Sequence, residues 1–385
     1  MKLKTLRTIY LGMLAATMLV ACSGEDADDV VNQSVDKATF ELKSSVSSFV
    51  DEWPSGETRA WTPPSGYVTY DYISGQFVGL TDLSRSSIEV FFTQDISDPQ
   101  QNTFFLNHAD QWRLSNVITS AGDYYLYGFI PKDAATSASI AANGTYSNGA
   151  VLTINGLGTL SPHDVCVIVG AKDGTGPETV TGLSTGQFKA RMNLAENTHN
   201  YFFLLFDHIY SALRFRFIVD EEYDDLRTIK LRKLEMKAIG DESGTTVKSK
   251  YNAVVTLRQN TNNMSPIVGN IQFTADNSSA DAAMEPIYDG EVTLSHTTPC
   301  DFMECFVPDY HGYFILRSTY DVYDKYGNLL RELCVSENTI NLFEIFGQHT
   351  MERGHIYSVT LLVKPTYLYM LSEPDLDNPT LTIGS

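Results

Sequence analysis

YYLYGFI, residues 124–130, passes through seven apolar or aromatic positions and stops against Pro131. Such side chains suit the pleated, half-buried surface of a β-strand. Outward from it the same kind of run recurs. Val165–Val169 ends at Gly170, and similar runs cover 201–206, 213–219 and 253–257. Residues 313–323 lead into the turn Asp324-Lys325-Tyr326-Gly327-Asn328 and return through 329–335, a hairpin signature. Near the end, Tyr357, Val359, Leu361 and Val363 fall on one face of a strand, with Ser358 and Thr360 on the other. Only 339–346 reads as a short helix. Tyr (21) and Phe (20) are abundant and charged residues few (19%), which also suits strands. Many short strands separated by turns predict an all-β chain of sandwich domains.

A length of 385 residues suits two domains of about 150 residues with extra segments. The polar stretch NLAENTHN, 193–200, divides two strand-rich halves. The expected organisation is a leader over 1–21, an acidic tether with one candidate strand over 22–59 (a propeptide under the family resemblance drawn below), a first β-sandwich over 60–200, a second over 201–365 and a tail over 366–385.

The leader sets the address. Lys2, Lys4 and Arg7 precede an apolar run, 9–20, that is short for a bilayer span. It ends Leu19-Val20-Ala21-Cys22, which resembles the lipobox of bacterial lipoproteins. That resemblance implies cleavage between Ala21 and Cys22, acylation (palmitate among the chains) at Cys22, and anchoring of the precursor in the outer membrane. An ordinary signal peptide with a chance cysteine is the alternative. The acidic residues that follow, SGEDADD over 23–29, are similar to the surface-export signal of lipoproteins in some Gram-negative anaerobes.

Loss of Lys2, Lys4 and Arg7 with the leader takes 27 bases to 24, against 47 acids. That excess of negative charge argues against nucleic acid and anionic lipid surfaces as partners. Within it, Arg59 is the one base between Lys43 and Arg85, in SGETRAW, 55–61, just before Pro63-Pro64. Gly, Ser and Pro mark the segment as an exposed loop. Ahead of it lies a candidate strand, Thr39-Phe40-Glu41-Leu42, with Val46 and Phe49 beyond. At the far end, Tyr367-Leu368-Tyr369-Met370-Leu371 and Leu381-Thr382-Ile383 flank a polar turn over 372–379. A strand-like tail after a complete last domain needs a partner, since an open apolar strand invites pairing.

Chemical motifs are weak. After Cys22, four cysteines remain: Cys166, Cys300, Cys305 and Cys334. They allow three pairings, and free thiols are the simpler reading. Cys300 and Cys305 have no second ligand pair at zinc spacing. His163 and Cys166 form a possible Cys–His pair, set aside because strand neighbours alternate faces. The Gly-rich stretch 170–182 lacks the Gly-Lys-Ser/Thr ending of a phosphate loop and reads as a hairpin loop. Asp375–Asn378 lacks calcium-loop spacing, and the acidic cluster 220–225 reads as a solvated loop rather than a weak calcium site. His208 reads as a satisfied structural histidine. No catalytic residue, metal site or cofactor is expected, so the chain does not read as an enzyme.

Four features stand in order: a lipobox; a short strand with a Thr-Arg-Ala loop; Trp112 with YYLYGFIP over 124–131 and FDHIYSAL over 206–213; and RGHIYSVTL over 353–361 with Pro365. In that order they resemble the fimbrillin family, the subunits of type V fimbriae (pili) of Gram-negative anaerobes, over nearly the whole chain. The resemblance implies two transthyretin-like β-sandwich domains with a cleavable N-terminal strand segment and a C-terminal donor-strand tail. It implies cutting at Arg59-Ala60 by an arginine-specific surface protease. The donor strand would carry Tyr367, Leu368, Tyr369, Met370, Leu371, Leu381 and Ile383. The partners would be other fimbrial subunits in a head-to-tail homo- or hetero-polymer at the cell surface, supporting adhesion. Two other readings remain open at this point. One is an uncut surface lipoprotein that binds glycans, with Trp61 or Trp112 stacking on sugar faces. The other is a fimbrial anchor subunit that keeps its lipid in the membrane.

Overall fold

The computed structural model describes residues 38–46, 50–52, 86–106, 112–116, 118–176, 183, 185–195, 198–259, 271–308, 311–347, 351–367 and 374–383. The leader, Ala21, Cys22, Arg59, Ala60, Trp61, Leu368, Tyr369, Met370 and Leu371 lie outside these residues. Among the described residues no helix is long and apolar enough to cross a membrane.

The strands in chain order are β1 (Ala38–Val46), β2 (Val50–Glu52), β3 (Ile88–Thr93), β4 (Gln100–Leu106), β5 (Trp112–Leu114), β6 (Gly122–Ile130), β7 (Ser137–Asn143), β8 (Thr145–Gly158), β9 (Cys166–Gly174), β10 (Lys189–Met192) and β11 (Thr198–His208). After them come β12 (Ser211–Val219), β13 (Thr228–Ile239), β14 (Lys250–Arg258), β15 (Gln272–Ala275), β16 (Glu285–Leu294), β17 (Cys300–Val307), β18 (Tyr313–Tyr323), β19 (Leu329–Asn341), β20 (His355–Tyr367) and β21 (Pro374–Ile383). Helix α1 spans Glu221–Leu226 and α2 spans Leu342–Phe346. The chain is all-β, as the sequence predicts.

Among the described residues four sheets enclose two apolar cores. The first core lies between the sheet β1-β11-β9-β6-β3-β4-β5, with β10 beside β6, and the sheet β15-β14-β8-β7. YYLYGFI forms most of β6, in the middle of the larger sheet. Leu126 to Ile130 are all buried there, because β6 is covered on both faces. Its tyrosines find partners for their hydroxyls: Tyr127 donates to the carbonyl of Tyr146, and Tyr124 to that of Ser120 at 2.9 Å. The second core lies between β17-β12-β20-β2, with β21 also on β20, and β16-β13-β18-β19. Half-buried strands show the expected alternation, for example β14 and β18.

The chain changes cores abruptly. Ile209, Tyr210 and Ala212 belong to the first core and Leu213 to the second. The polar stretch 193–200 leads into β11, whose pairing with β1 and β9 keeps it in the first-core sheet. The separation is also incomplete in sequence: β14 and β15 lie beyond β12, yet β14 pairs with β8, carries β15 on its other side and puts Ala253, Val255 and Leu257 into the first core. The acidic cluster at 220–225 is not a loop. It forms α1, capped by Asp220, whose side chain accepts from the Tyr223 N–H at 3.2 Å, and Tyr223 is buried beneath it. The expected helix at 339–346 is confined to α2, with β19 extending through Asn341.

Gly128 shows how closely the central strands approach. It sits opposite Val90 in the β3–β6 pairing, where a Cβ would lie 1.9 Å from the carbonyl oxygen of Glu89. Gly128→Ala must push two central strands apart, so thermal unfolding should show a loss of about 1–3 kcal/mol or more, the range of overpacked cores.

Candidate functional site at the strand edges

Two segments named by the sequence reading meet the sheets at their edges. β1 is the last strand of the larger first-core sheet and pairs with β11 in parallel, from Ala38↔Thr198 to Val46↔Phe206. Every other described pairing in that sheet is antiparallel. Leu42 is buried in the first core. A ladder hydrogen bond gains about 0.5–1.5 kcal/mol net, while fixing each residue costs about 1–2 kcal/mol. The backbone pairing of β1 thus roughly breaks even. Burial of Leu42, about 1.5–3 kcal/mol, tips the balance toward docking.

Three residues after β1, the same segment reaches the other core. β2 pairs in parallel with β20 at His355, Ile356 and Tyr357. One short stretch ahead of Arg59 therefore occupies an edge in each of two sheets.

β21 occupies the rest of that second edge. It runs antiparallel to β20 from Leu361↔Ile383 to Tyr367↔Pro374. The outward edge of β20 is thus shared, with β2 at its start and β21 at its end. Of the residues expected to donate, Tyr367 ends β20, Leu381 is buried in the second core, and Ile383 is 42% exposed. The tail is folded against its own second core. The polar turn expected at 372–379 is realised within β21 as an irregularity, where the register jumps between Pro365↔Pro379 and Thr366↔Asp375.

Specific groups latch β21 down. The Leu381 N–H donates to Ser336 Oγ at 3.1 Å, and the Tyr223 hydroxyl donates to the carbonyl of Leu376 at 2.8 Å. Arg227 Nε donates to Asp377 Oδ1 at 3.1 Å. Burial raises the Tyr223 phenol well above its ordinary pKa, so it stays a neutral donor. Arg331 and Asp375, 3.8 Å apart and partly exposed, add little.

The other sequence candidates fall as follows. Trp112 is half-buried against the first core. Cys166, Cys300 and Cys334 are free thiols. His163 is exposed and does not meet Cys166. Cys166 meets His208 instead, with Asp164 beside both, a grouping that sequence reasoning missed. Burial raises the Cys166 thiol pKa strongly, so it is no ready nucleophile.

No family model matches the chain, and no curated protein does. Among solved structures it is similar to a candidate cell adhesion protein from Bacteroides fragilis, at 12% identity over 90% of this chain and 97% of that one, with a TM-score of 0.39. It is also similar to a fimbrial protein from Bacteroides vulgatus, at 11% identity over 77% and 91% respectively, TM-score 0.30. A third is a fimbrial anchor protein from Porphyromonas gingivalis, at 9% identity over 89% and 96%, TM-score 0.26. Similarity at this level carries no property of those proteins over to this chain.

Proposed function

We propose that this chain is a structural subunit of a cell-surface fimbrium. It is exported as a lipoprotein through Cys22, cut between Arg59 and Ala60 by an arginine-specific protease, and polymerised head to tail by strand exchange. The observation that carries this reading is the position of β1. It is an edge strand, parallel to its neighbour, with Leu42 buried in the first core, and it lies between Cys22 and Arg59. A cut at Arg59 leaves the pairing untouched but removes the covalent tether. It also separates the lipid from residues 60–385. The vacated β11 edge would then take a strand from another subunit, the β-augmentation mode in which backbone pairing supplies affinity. The donor is the tail, after β21 has left β20. Such a contact does not close on itself and builds an open filament.

The test is the N-terminus of the surface form. Sequencing or mass spectrometry of material in fibres should read from Ala60. Fibres made of chains that begin at an acylated Cys22 would overturn the proposal and return the chain to the anchor or glycan-binding readings.

A further inference from the structure

Three side chains with metal-binding atoms meet where the chain passes from the first core to the second. Cys166 opens β9 and Asp164 stands two residues ahead of it, and His208 ends β11 opposite Cys166 in the antiparallel register. Asp164 Oδ2 lies 2.7 Å from His208 Nδ1 and 3.2 Å from Cys166 Sγ. The sulfur lies 3.4 Å from Nδ1. All three residues are buried. The second carboxylate oxygen, Asp164 Oδ1, is also buried and has no hydrogen-bond partner among the described residues. A buried carboxylate oxygen left unpaired is costly, so its retention calls for a cation that pairs with it.

We propose that Asp164, Cys166 and His208 form a structural site for a divalent transition metal of the zinc type. The ligand atoms are one sulfur, one nitrogen and carboxylate oxygen, the mixture zinc takes. Calcium and magnesium take oxygen alone. The charges also close: one thiolate and one carboxylate balance a divalent ion, and the imidazole stays neutral, so the buried site carries no net charge. Zinc bonds of 2.0–2.3 Å in a tetrahedron set ligand atoms roughly 3.3–3.6 Å apart. The sulfur–nitrogen separation meets this and the sulfur–oxygen separation nearly does. The Oδ2–Nδ1 pair must open by about half an ångström to reach that spacing. A small turn of the carboxylate does this and brings Oδ1 toward the ion. On binding, the thiol proton leaves to solvent and Nδ1 becomes a lone-pair donor, with the ring proton on Nε2. Because the residues are closed off from water, the metal is taken up as the chain folds.

The consequence is a cross-link at the junction. It ties the start of β9 to the end of β11, beside the ion pair of Arg353 with Asp207 at 2.6 Å. Gly354 packs under the His208 ring, where an added Cβ would lie 3.6 Å from Cδ2. A metal there fixes the angle at which the chain leaves one core for the other. This inference stands apart from the fimbrial reading.

The experiment uses the full chain, unfolded under reducing conditions and refolded with zinc or cobalt. After dialysis it should hold about one equivalent of metal per chain. The cobalt form should show the near-ultraviolet charge-transfer band of a thiolate ligand. Cys166→Ser should abolish that band and cut retained metal at least tenfold, and Asp164→Asn should weaken retention. His163→Ala, at an exposed neighbour, should change neither. A band that survives Cys166→Ser would overturn the proposal. If that variant does not fold, the unaltered chain decides: zinc should raise its thermal midpoint. A refolded chain that retains no metal and shows no shift in its midpoint would overturn the proposal.

Discussion

A chain carrying Arg59→Ala should reach the cell surface, keep its lipid and form no fibres. The reason is competition for one edge. While the peptide bond after Arg59 is intact, β1 is tethered to its place beside β11 at an effective concentration of order millimolar. A donor strand from another subunit, at micromolar concentration, competes at a disadvantage of about a thousandfold, roughly 4 kcal/mol. That is enough to hold the edge closed against a free donor strand. Cutting removes the local advantage while the β1–β11 ladder stays in place, so the switch lies in the tether and not in the ladder. The readout is a gel of surface extracts run without heating: the unaltered chain should give a ladder of oligomers and Arg59→Ala a single monomer band. Arg59→Lys, cut with a lysine-specific protease, should restore the ladder. An Arg59→Ala chain that polymerises at the ordinary rate would show that access to the edge is controlled elsewhere.

The double attachment of the N-terminal segment sharpens this expectation. β1 closes a first-core sheet and β2 closes the start of β20 in the second. Loss of the segment therefore opens two edges at once, one long and one of three residues. The long edge offers the register from Thr198 to Phe206 for a new strand, and its side chains set which incoming residue faces the core. An incoming strand must supply an apolar residue where Leu42 now sits, or the first core is left with a cavity.

The strands were legible in the sequence and their partners were not. The hairpin of β18 and β19 was read closely, because an alternating run, an Asp-x-x-Gly-Asn turn and a second run are all local signals. Periodicity says which face of a strand is buried but carries no information about which strand lies beside it. That is why β14, whose run 253–257 read as an ordinary strand of the second half, gave no sign that it pairs with β8. The same limit hid the Asp164, Cys166 and His208 grouping. Asp164 lies just ahead of β9, where strand alternation does not place it, and His208 arrives across the sheet through a register that only the folded chain sets. The acidic run at 220–225 misled for another reason. A helix this short has no periodic stripe, and its one strong cue, an aspartate three residues before a tyrosine that becomes buried, is easily read as part of a charged loop.

Deleting residues 374–383 should have two separable effects, and their combination tests the tail. The first is on the monomer. β21 covers part of the second core, so its loss exposes what Leu381 packs against, at a cost of about 1.5–3 kcal/mol. It also strands the Tyr223 hydroxyl, which now serves Leu376, adding roughly 1–3 kcal/mol if that hydroxyl stays dry, while Ser336 Oγ loses Leu381 but keeps Asn338 Nδ2 at 3.3 Å. Chemical denaturation of the cut, monomeric form should show this loss. The second effect is on assembly: without a donor strand the oligomer ladder should vanish. Leu381→Ala separates the two. It loosens β21 from its own core, at about 2–5 kcal/mol, while leaving the backbone that pairs with a neighbour intact. If departure of the tail from β20 limits the exchange, Leu381→Ala should speed the appearance of the first oligomers while lowering the stability of the monomer. A ladder that persists after the deletion would mean that another strand is donated. In that case β21 is simply the closing strand of the second core.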